Sequence, residues 1–227
     1  MIRLQDIKNN NDIKALIEGA NKTLEVLGYT EHGIRHVTRV SNTAAKILRV
    51  LGYPSSLVEL AAIAGMMHDI GNCINRKNHG IAGANLLFPI LLKMKMPMED
   101  IVYIISAIGS HEEQYGSPVN EVSAALIIAD KIDAHRTRIR KGIPFDPGNI
   151  HNRVNFSIKK NWLEIDKEKM NLRYEMIMDM NVSCPMDFLE IYSTRMRMCE
   201  DAASFLNCSF ELVINKFVLN KPNYKIQ

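Results

Sequence analysis

Residues 57–67, LVELAAIAGMM, hold one charged side chain in eleven positions. A helix built from them has no polar face, so it must lie in the middle of a protein, wrapped by other elements. Ser55 and Ser56 open it, and it runs directly into His68-Asp69-Ile70-Gly71. The wrapping is supplied on both sides. Ile13, Leu16, Ile17, Ala20, Leu24 and Leu27 recur with a 3.6-residue period over 11–27, and Gly28 stops that helix. Ile34, Val37, Val40, Ala44, Ile47 and Leu51 do the same over 31–51, ahead of Gly52. Residues 80–95 read as a helix that Pro89 kinks or breaks. Pro97 takes the first-turn position ahead of IVYIISAIGSH. A further helix spans 119–140, closed by Gly142 and Pro144.

Past residue 150 the apolar period changes to two. Val154, Phe156 and Ile158 alternate with polar residues, followed by Leu163 and Ile165, then Leu172, Tyr174, Met176 and Met178. That is strand patterning, with turns near 159–161 (KKN) and 166–169 (DKEK). Pro185 opens an amphipathic helix to about Asn207, and Phe210, Leu212 and Ile214 mark a final strand. The fold class is therefore mainly α: a helical body over 1–150 with a small α+β appendage over 151–227. The appendage carries no chemical motif. Its methionines (Met170, Met176, Met178, Met180) read as packing of a small sheet. Capping a site, binding a regulator and forming a homodimer contact are the roles open to it.

Composition narrows the class further. The 227 residues are 47% hydrophobic and 23% charged, as in soluble globular proteins, and suffice for a core without disulfides. No run of about 18 apolar residues is present, so no membrane partner is expected. The opening MIRLQDIKNNND lacks the apolar stretch of a signal peptide. A net charge of +3 is too small for general nucleic-acid binding. Cys73, Cys184, Cys199 and Cys208 form no CxxC pair, and reduced thiols in a cytoplasm fit them best.

The chemistry lies in the histidines, six of which fall in the first 135 residues. His68 and Asp69 end the most apolar helix, and Asp130 follows the run AALIIA. A buried carboxylate costs several kcal/mol unless it is paired or coordinates a metal. His36, His79 and His111 also fall at or near helix ends. Each residue alone has a plain structural explanation: a capping His36, a loop His79, a solvated His111, an Asp130 paired with Lys131. Together they suggest a shared metal site, because imidazole nitrogen with carboxylate oxygen suits Fe, Mn, Zn, Co or Ni.

The ordered set His36 in RHVTRV, His68-Asp69 in MMHDIG, His79 in NHGIAGA, His111 in SAIGSHEE and Asp130 in IIADKID resembles the HD-domain superfamily of metal-dependent phosphohydrolases. The order H…HD…H…H…D matches the dinuclear branch of that superfamily, over roughly 30–140. The resemblance implies two divalent transition metals, Fe or Mn first, with Zn, Ni or Co also compatible. It implies that His36, His68, Asp69 and Asp130 hold one metal, and that Asp69 bridges to a second completed by His79 and His111. It implies phosphate-ester hydrolysis by a metal-activated water. The substrate class it implies is a small-molecule mono- or diester, including nucleotides, with no sequence-specific nucleic-acid partner. A nucleotide-sensing module with a retained metal site and a di-iron oxygenase are the alternative functions. Two departures stand out. Asn72 occupies a position where many dinuclear relatives carry lysine, which weakens one phosphate contact. The GYP signature of the cyclic-di-GMP branch is missing, since Gln114-Tyr115-Gly116 follows the glutamates.

Beyond the ligands, Arg76, Lys131, Arg136 and Arg140 are candidate phosphate contacts, the last two sharing a helix face. Asp133, three residues past Asp130 on the expected helix, is a candidate to orient the site. His32, four residues before His36 and so on the same expected helix face, is a candidate proton donor, supporting group behind the ligands or substrate contact, and Glu112 a candidate proton carrier or partner for a ligand imidazole.

Overall fold

The computed structural model describes residues 2–142 and 144–220. Its described residues form nine α-helices followed and interrupted, in the C-terminal third, by a four-stranded sheet. The helices of the body are α1 (Leu4–Asn9), α2 (Asn11–Val26), α3 (Ile34–Leu51), α4 (Ser55–Met67), α5 (His79–Lys93), α6 (Met98–Gly109) and α7 (Glu121–Lys131). A 3-10 turn, Ile70–Cys73, follows α4. No described helix is long and apolar enough to cross a membrane.

The apolar helix α4 is central, as its composition requires. Every residue from Leu60 to Met67 is buried, and the helix packs on α3, α6 and α7. Its one charge, Glu59, accepts from the Leu4 backbone N–H at 2.6 Å and so anchors the start of α1. The approach of α3 to α4 is set by a small-residue contact. Ser41 Oγ donates to the Ala62 carbonyl at 2.7 Å, and a Cβ on Gly65 would lie 2.7 Å from Ser41 Cα. Helix α7 is buried along its length from Val122 to Ala129.

The C-terminal segment adds α8 (Ile150–Ser157), β1 (Ile158–Asp166), β2 (Asn171–Met178), α9 (Pro185–Phe205), β3 (Ser209–Ile214) and β4 (Phe217–Val218). Sheet order follows chain order. β1 and β2 are antiparallel, β2 and β3 parallel across the α9 connection, and β3 and β4 antiparallel. Helix α9 lies on α7 and closes that side of the core.

Five local expectations are corrected. The helix expected over 119–140 stops at Lys131; the chain then turns through Ile132–His135 into a short 3-10 turn, Arg136–Arg138. Residues 154–157, expected as strand, are helical, because the Asn149 side chain caps the Asn152 N–H and starts a helix. Residues 159–161, expected as a turn, run within β1, with a register shift between Ile158 and Lys160. α5 continues through Pro89. His32 precedes α3, which begins at Ile34, so His32 and His36 do not share a helix face, although their rings lie 5.3 Å apart.

Candidate metal centre

Helix ends deliver all six residues to one place. His36 is in the first turn of α3, His68 caps the C-terminus of α4, and Asp69 follows it. His79 begins α5, His111 lies just past α6, and Asp130 is in the last turn of α7. The four imidazoles are buried, as is Asp69. Gly71 permits the turn that brings α5 in, since a Cβ there would lie 1.9 Å from the His79 carbonyl oxygen.

Each imidazole is held through Nδ1. His68, His79 and His111 donate from Nδ1 to the carbonyl three residues earlier: Gly65 at 2.9 Å, Arg76 at 2.9 Å and Ile108 at 2.6 Å. His36 Nδ1 donates to Asp133 Oδ2 at 2.7 Å. A carbonyl or carboxylate only accepts, so the proton of each neutral ring is on Nδ1 and the Nε2 lone pair points inward. Those lone pairs face one another: His36 Nε2 is 3.3 Å from His68 Nε2, and His79 Nε2 is 3.0 Å from His111 Nε2. Two lone pairs at such distances repel unless a cation lies with them.

Asp69 sits between the two pairs. Its Oδ2 is 3.5 Å from His36 Nε2 and 3.4 Å from His68 Nε2, and its Oδ1 is 3.4 Å from His79 Nε2 and 4.0 Å from His111 Nε2. Asp130 Oδ1 joins the first pair, 3.3 Å from His36 and 3.6 Å from His68. Oδ2 of Asp69 is buried with no hydrogen-bond partner among the described residues. An orphaned anionic oxygen beside facing imidazole lone pairs is the signature of a cation site, and nitrogen with carboxylate oxygen is a donor set for divalent transition metals. Ligand atoms of His36, His68 and Asp130 lie within 4.8 Å of one another, and so do those of His68, Asp69 and His111. The protonation pattern points the same way. Burial works against charge on His68, yet Asp69 and Asp130 override it and push the imidazole up to about 10. Burial likewise opposes charge on Asp69, but His68 and the neighbouring imidazoles hold the carboxyl well below its usual range. Without a metal, a proton fills the role of the cation.

The surroundings are equally ordered. Asp133, with no exposed side-chain surface, takes His36 together with Arg35 at 2.9 Å, Arg39 at 3.1 Å and Arg138 at 3.4 Å. It reaches His36 from a loop rather than from the helix expected of it. Burial raises its pKa, but His36 and Arg138 hold it well below the usual carboxylate range. Glu112 Oε1 lies 2.6 Å from His79 Nδ1 and its Oε2 accepts from the Gly80 N–H at 3.3 Å, which makes it a neighbour of a ligand imidazole. Asn72 donates to Asp69 Oδ1 at 2.9 Å and accepts from Arg76 at 3.2 Å. Asn72 therefore fixes the central carboxylate and orients Arg76.

A polar cavity of about 20 Å³ opens over the centre; Arg76, Lys131, Arg138, Arg195 and Glu113 are among its walls. Two sequence-based candidates lie elsewhere. Arg136 donates to the Phe156 carbonyl at 3.0 Å with its guanidinium over that ring. Arg140 binds the Tyr29 and Asn21 carbonyls at 2.8 and 3.0 Å. Neither lines the cavity, because the chain there is not helical. His32 lines it but is not placed to give up a proton. Its Nδ1 donates to the Thr30 carbonyl at 2.7 Å and its Nε2 accepts from Arg138 at 2.9 Å. Burial and Arg138 push its pKa well down. Sequence reasoning missed Arg35 and Arg39 as partners of Asp133, although their i, i+4 spacing around His36 called for a shared anion. It also missed Arg195, which no local motif marks.

The fold and site together define a helical-bundle protein with a buried histidine–carboxylate centre built for divalent metal. The family model for the HD domain matches residues 33–135, a span containing all six converging residues. It is 28% identical to an uncharacterized protein, MJ1020, of Methanocaldococcus jannaschii, the match covering 63% of each chain. The chain thus spans less than two thirds of that relative. It is also similar to a solved structure described as a predicted HD superfamily hydrolase from an uncultured Thermotogales bacterium. There the identity is 22% and the TM-score 0.45, over 59% of this chain and 75% of the other.

Proposed function

We propose that the chain is a metal-dependent phosphohydrolase. The observation that carries this reading is Asp69, whose two oxygens face two separate pairs of imidazole Nε2 atoms beneath a cavity walled by cations. His36, His68, Asp130 and Oδ2 of Asp69 would hold one divalent ion, and His79, His111 and Oδ1 of Asp69 a second. Metals bound there supply Lewis acidity and an activated water. The chain's own residues do the remaining work. Asp133 and three backbone carbonyls lock the ring orientations, so the ligands need not reorganise on loading. Lys131 Nζ, 2.6 Å from Asp130 Oδ2, keeps that carboxylate ionised and adds positive charge at the cavity. Arg76 and Arg138 face the same space, where an anionic phosphoryl group gains most from fixed donors.

The test is elemental analysis of the purified chain with assays on p-nitrophenyl phosphate and bis(p-nitrophenyl) phosphate. About two metals per chain and turnover of at least one ester are expected, with both lost in Asp69→Ala. A fully loaded protein inert toward a broad panel of phosphate esters would overturn the assignment. Oxygen uptake by such a protein would redirect it toward di-iron oxygen chemistry.

A further inference from the structure

The cavity over the metal centre is lined by residues 32–138 with one exception among the described residues: Arg195, from the middle of α9. Its position is fixed on two sides. Nε is 2.8 Å from Glu113 Oε1, and the guanidinium lies 4.9 Å over the Tyr192 ring. Nε makes the closest approach to Glu113, and the two terminal nitrogens have no hydrogen-bond partner among the described residues. The other cations in the wall have partners of their own. Arg138 binds Asp133, His32 and Thr30. Arg76 holds Asn72, and Lys131 lies between Asp130 at 2.6 Å and Glu113 at 3.2 Å. Arg195 therefore presents unspent N–H donors to the cavity, as Arg76 does beyond its single bond to Asn72, in the fork geometry that matches two phosphoryl oxygens at once. It is also placed to move. Its side chain is 32% exposed, whereas Lys131 is 4% exposed.

We infer that Arg195 is a substrate-binding residue, a guanidinium clamp on the phosphoryl oxygens that the C-terminal helix lends to the metal centre. This rests on the phosphohydrolase reading and says what the segment after the HD domain contributes to it. Glu113 parks the clamp between turnovers and competes with the phosphoryl group for it.

The full-length, metal-reconstituted chain decides this by titration calorimetry with inorganic phosphate and by kinetics on the better of the two nitrophenyl esters. Arg195→Ala should weaken phosphate about tenfold, the loss expected for charge-assisted hydrogen bonds, and raise KM by a similar factor with kcat less affected. Metal content and melting temperature should stay as in the wild type. Arg195→Lys should recover part of the affinity, lacking the fork, and guanidinium chloride should partly rescue the alanine variant. Glu113→Gln should tighten phosphate severalfold, and adding Arg195→Ala should cancel that gain. A folded, loaded Arg195→Ala protein with wild-type phosphate affinity and KM, or a Glu113→Gln gain that survives Arg195→Ala, would make Arg195 a structural ion pair only. A loaded wild type that neither binds phosphate nor cleaves the ester sinks the phosphohydrolase reading itself, a different outcome from unaffected binding in the variant.

Discussion

Asp133 shows how much of a metal centre is decided by a residue that need not touch the metal. It neutralises Arg35, Arg39 and Arg138 and fixes the proton of His36 on Nδ1. Replacing it with alanine frees His36 to adopt the other tautomer and leaves three guanidiniums without their anion. Asp133→Ala should cost about 3 kcal/mol of folding stability in urea melts, the low end for breaking a buried pair because Arg35 and Arg39 are a third exposed. Metal affinity should fall about 10–100-fold, as is usual when an outer partner is removed. A metal titration matching the wild type would disprove this role. The same logic gives a pH dependence. His68 is raised from its ordinary 6.5 to about 10. A raised histidine stabilises the fold fully below its unfolded value and loses that contribution as pH climbs through the folded one. Chelator-treated protein should therefore melt at progressively lower temperature from about pH 6.5 to about pH 10. Metal loading near pH 7 should release a proton, seen by calorimetry in buffers of different ionisation enthalpy. The ligands themselves were legible in the sequence, because carboxylates and imidazoles abutting runs such as LVELAAIAGMM and AALIIA need a reason to be there. Asp133's true partners were not, since Arg35 and Arg39 meet it across nearly a hundred residues of chain.

At the scale of elements, close packing by glycine carries ligand geometry. Gly71 lets the turn after α4 sit against the first residue of α5, where a Cβ would also lie 2.5 Å from Gly83 N. Both contacts are backbone, so neither can yield by rotating a side chain. Gly71→Ala should destabilise by about 1–3 kcal/mol, the cost of overpacking, and displace His79. Weaker metal binding with a lower melting temperature is the expected result. An unchanged melt would show that α5 tolerates the shift. Helices α2 and α3 were legible because burial on one face dictates a 3.6-residue stripe, and α4 because burial on all sides makes it apolar throughout. The short elements were not. Val154, Phe156 and Ile158 fit a strand on period two, but positions 154 and 158 are also one helical turn apart, and the Asn149 cap decides for helix. The end of α7 was overestimated because Arg136, Arg138 and Arg140 mimic a basic helix terminus. Their side chains instead tie the loop after α7 to α8, to the segment between α2 and α3, and to α2. Asn161, in a stretch that looks like a turn, bonds the Ile132 carbonyl at 3.3 Å and the Ala134 carbonyl, bracketing Asp133 from β1. The sheet thus supports the metal centre from behind.

The whole molecule raises the question of whether the segment after residue 150 is an appendage at all. The change of apolar period at that point argues for a separate unit, and the HD family match ends at residue 135. The packing argues for dependence. Every residue of α7 from Val122 to Ala129 is buried, which α3, α4 and α6 do not accomplish without α9. The α9 face includes Phe188, Tyr192, Met196, Cys199 and Ala202, all buried. Fully burying a large side chain of this kind is worth about 1.5–3 kcal/mol. Removing several at once exceeds a margin of about 5–15 kcal/mol for a whole domain once the newly exposed surface of α7 is added. A chain cut after Asn149 should therefore be aggregated or molten: dye-binding, without a sharp thermal transition, and unable to hold metal. The same cut should leave far-ultraviolet helical signal, because α2, α3 and α4 keep their own contacts. A truncated protein that melts cooperatively and loads metal would instead establish 1–149 as a self-sufficient unit, with α9 as a removable cover carrying Arg195.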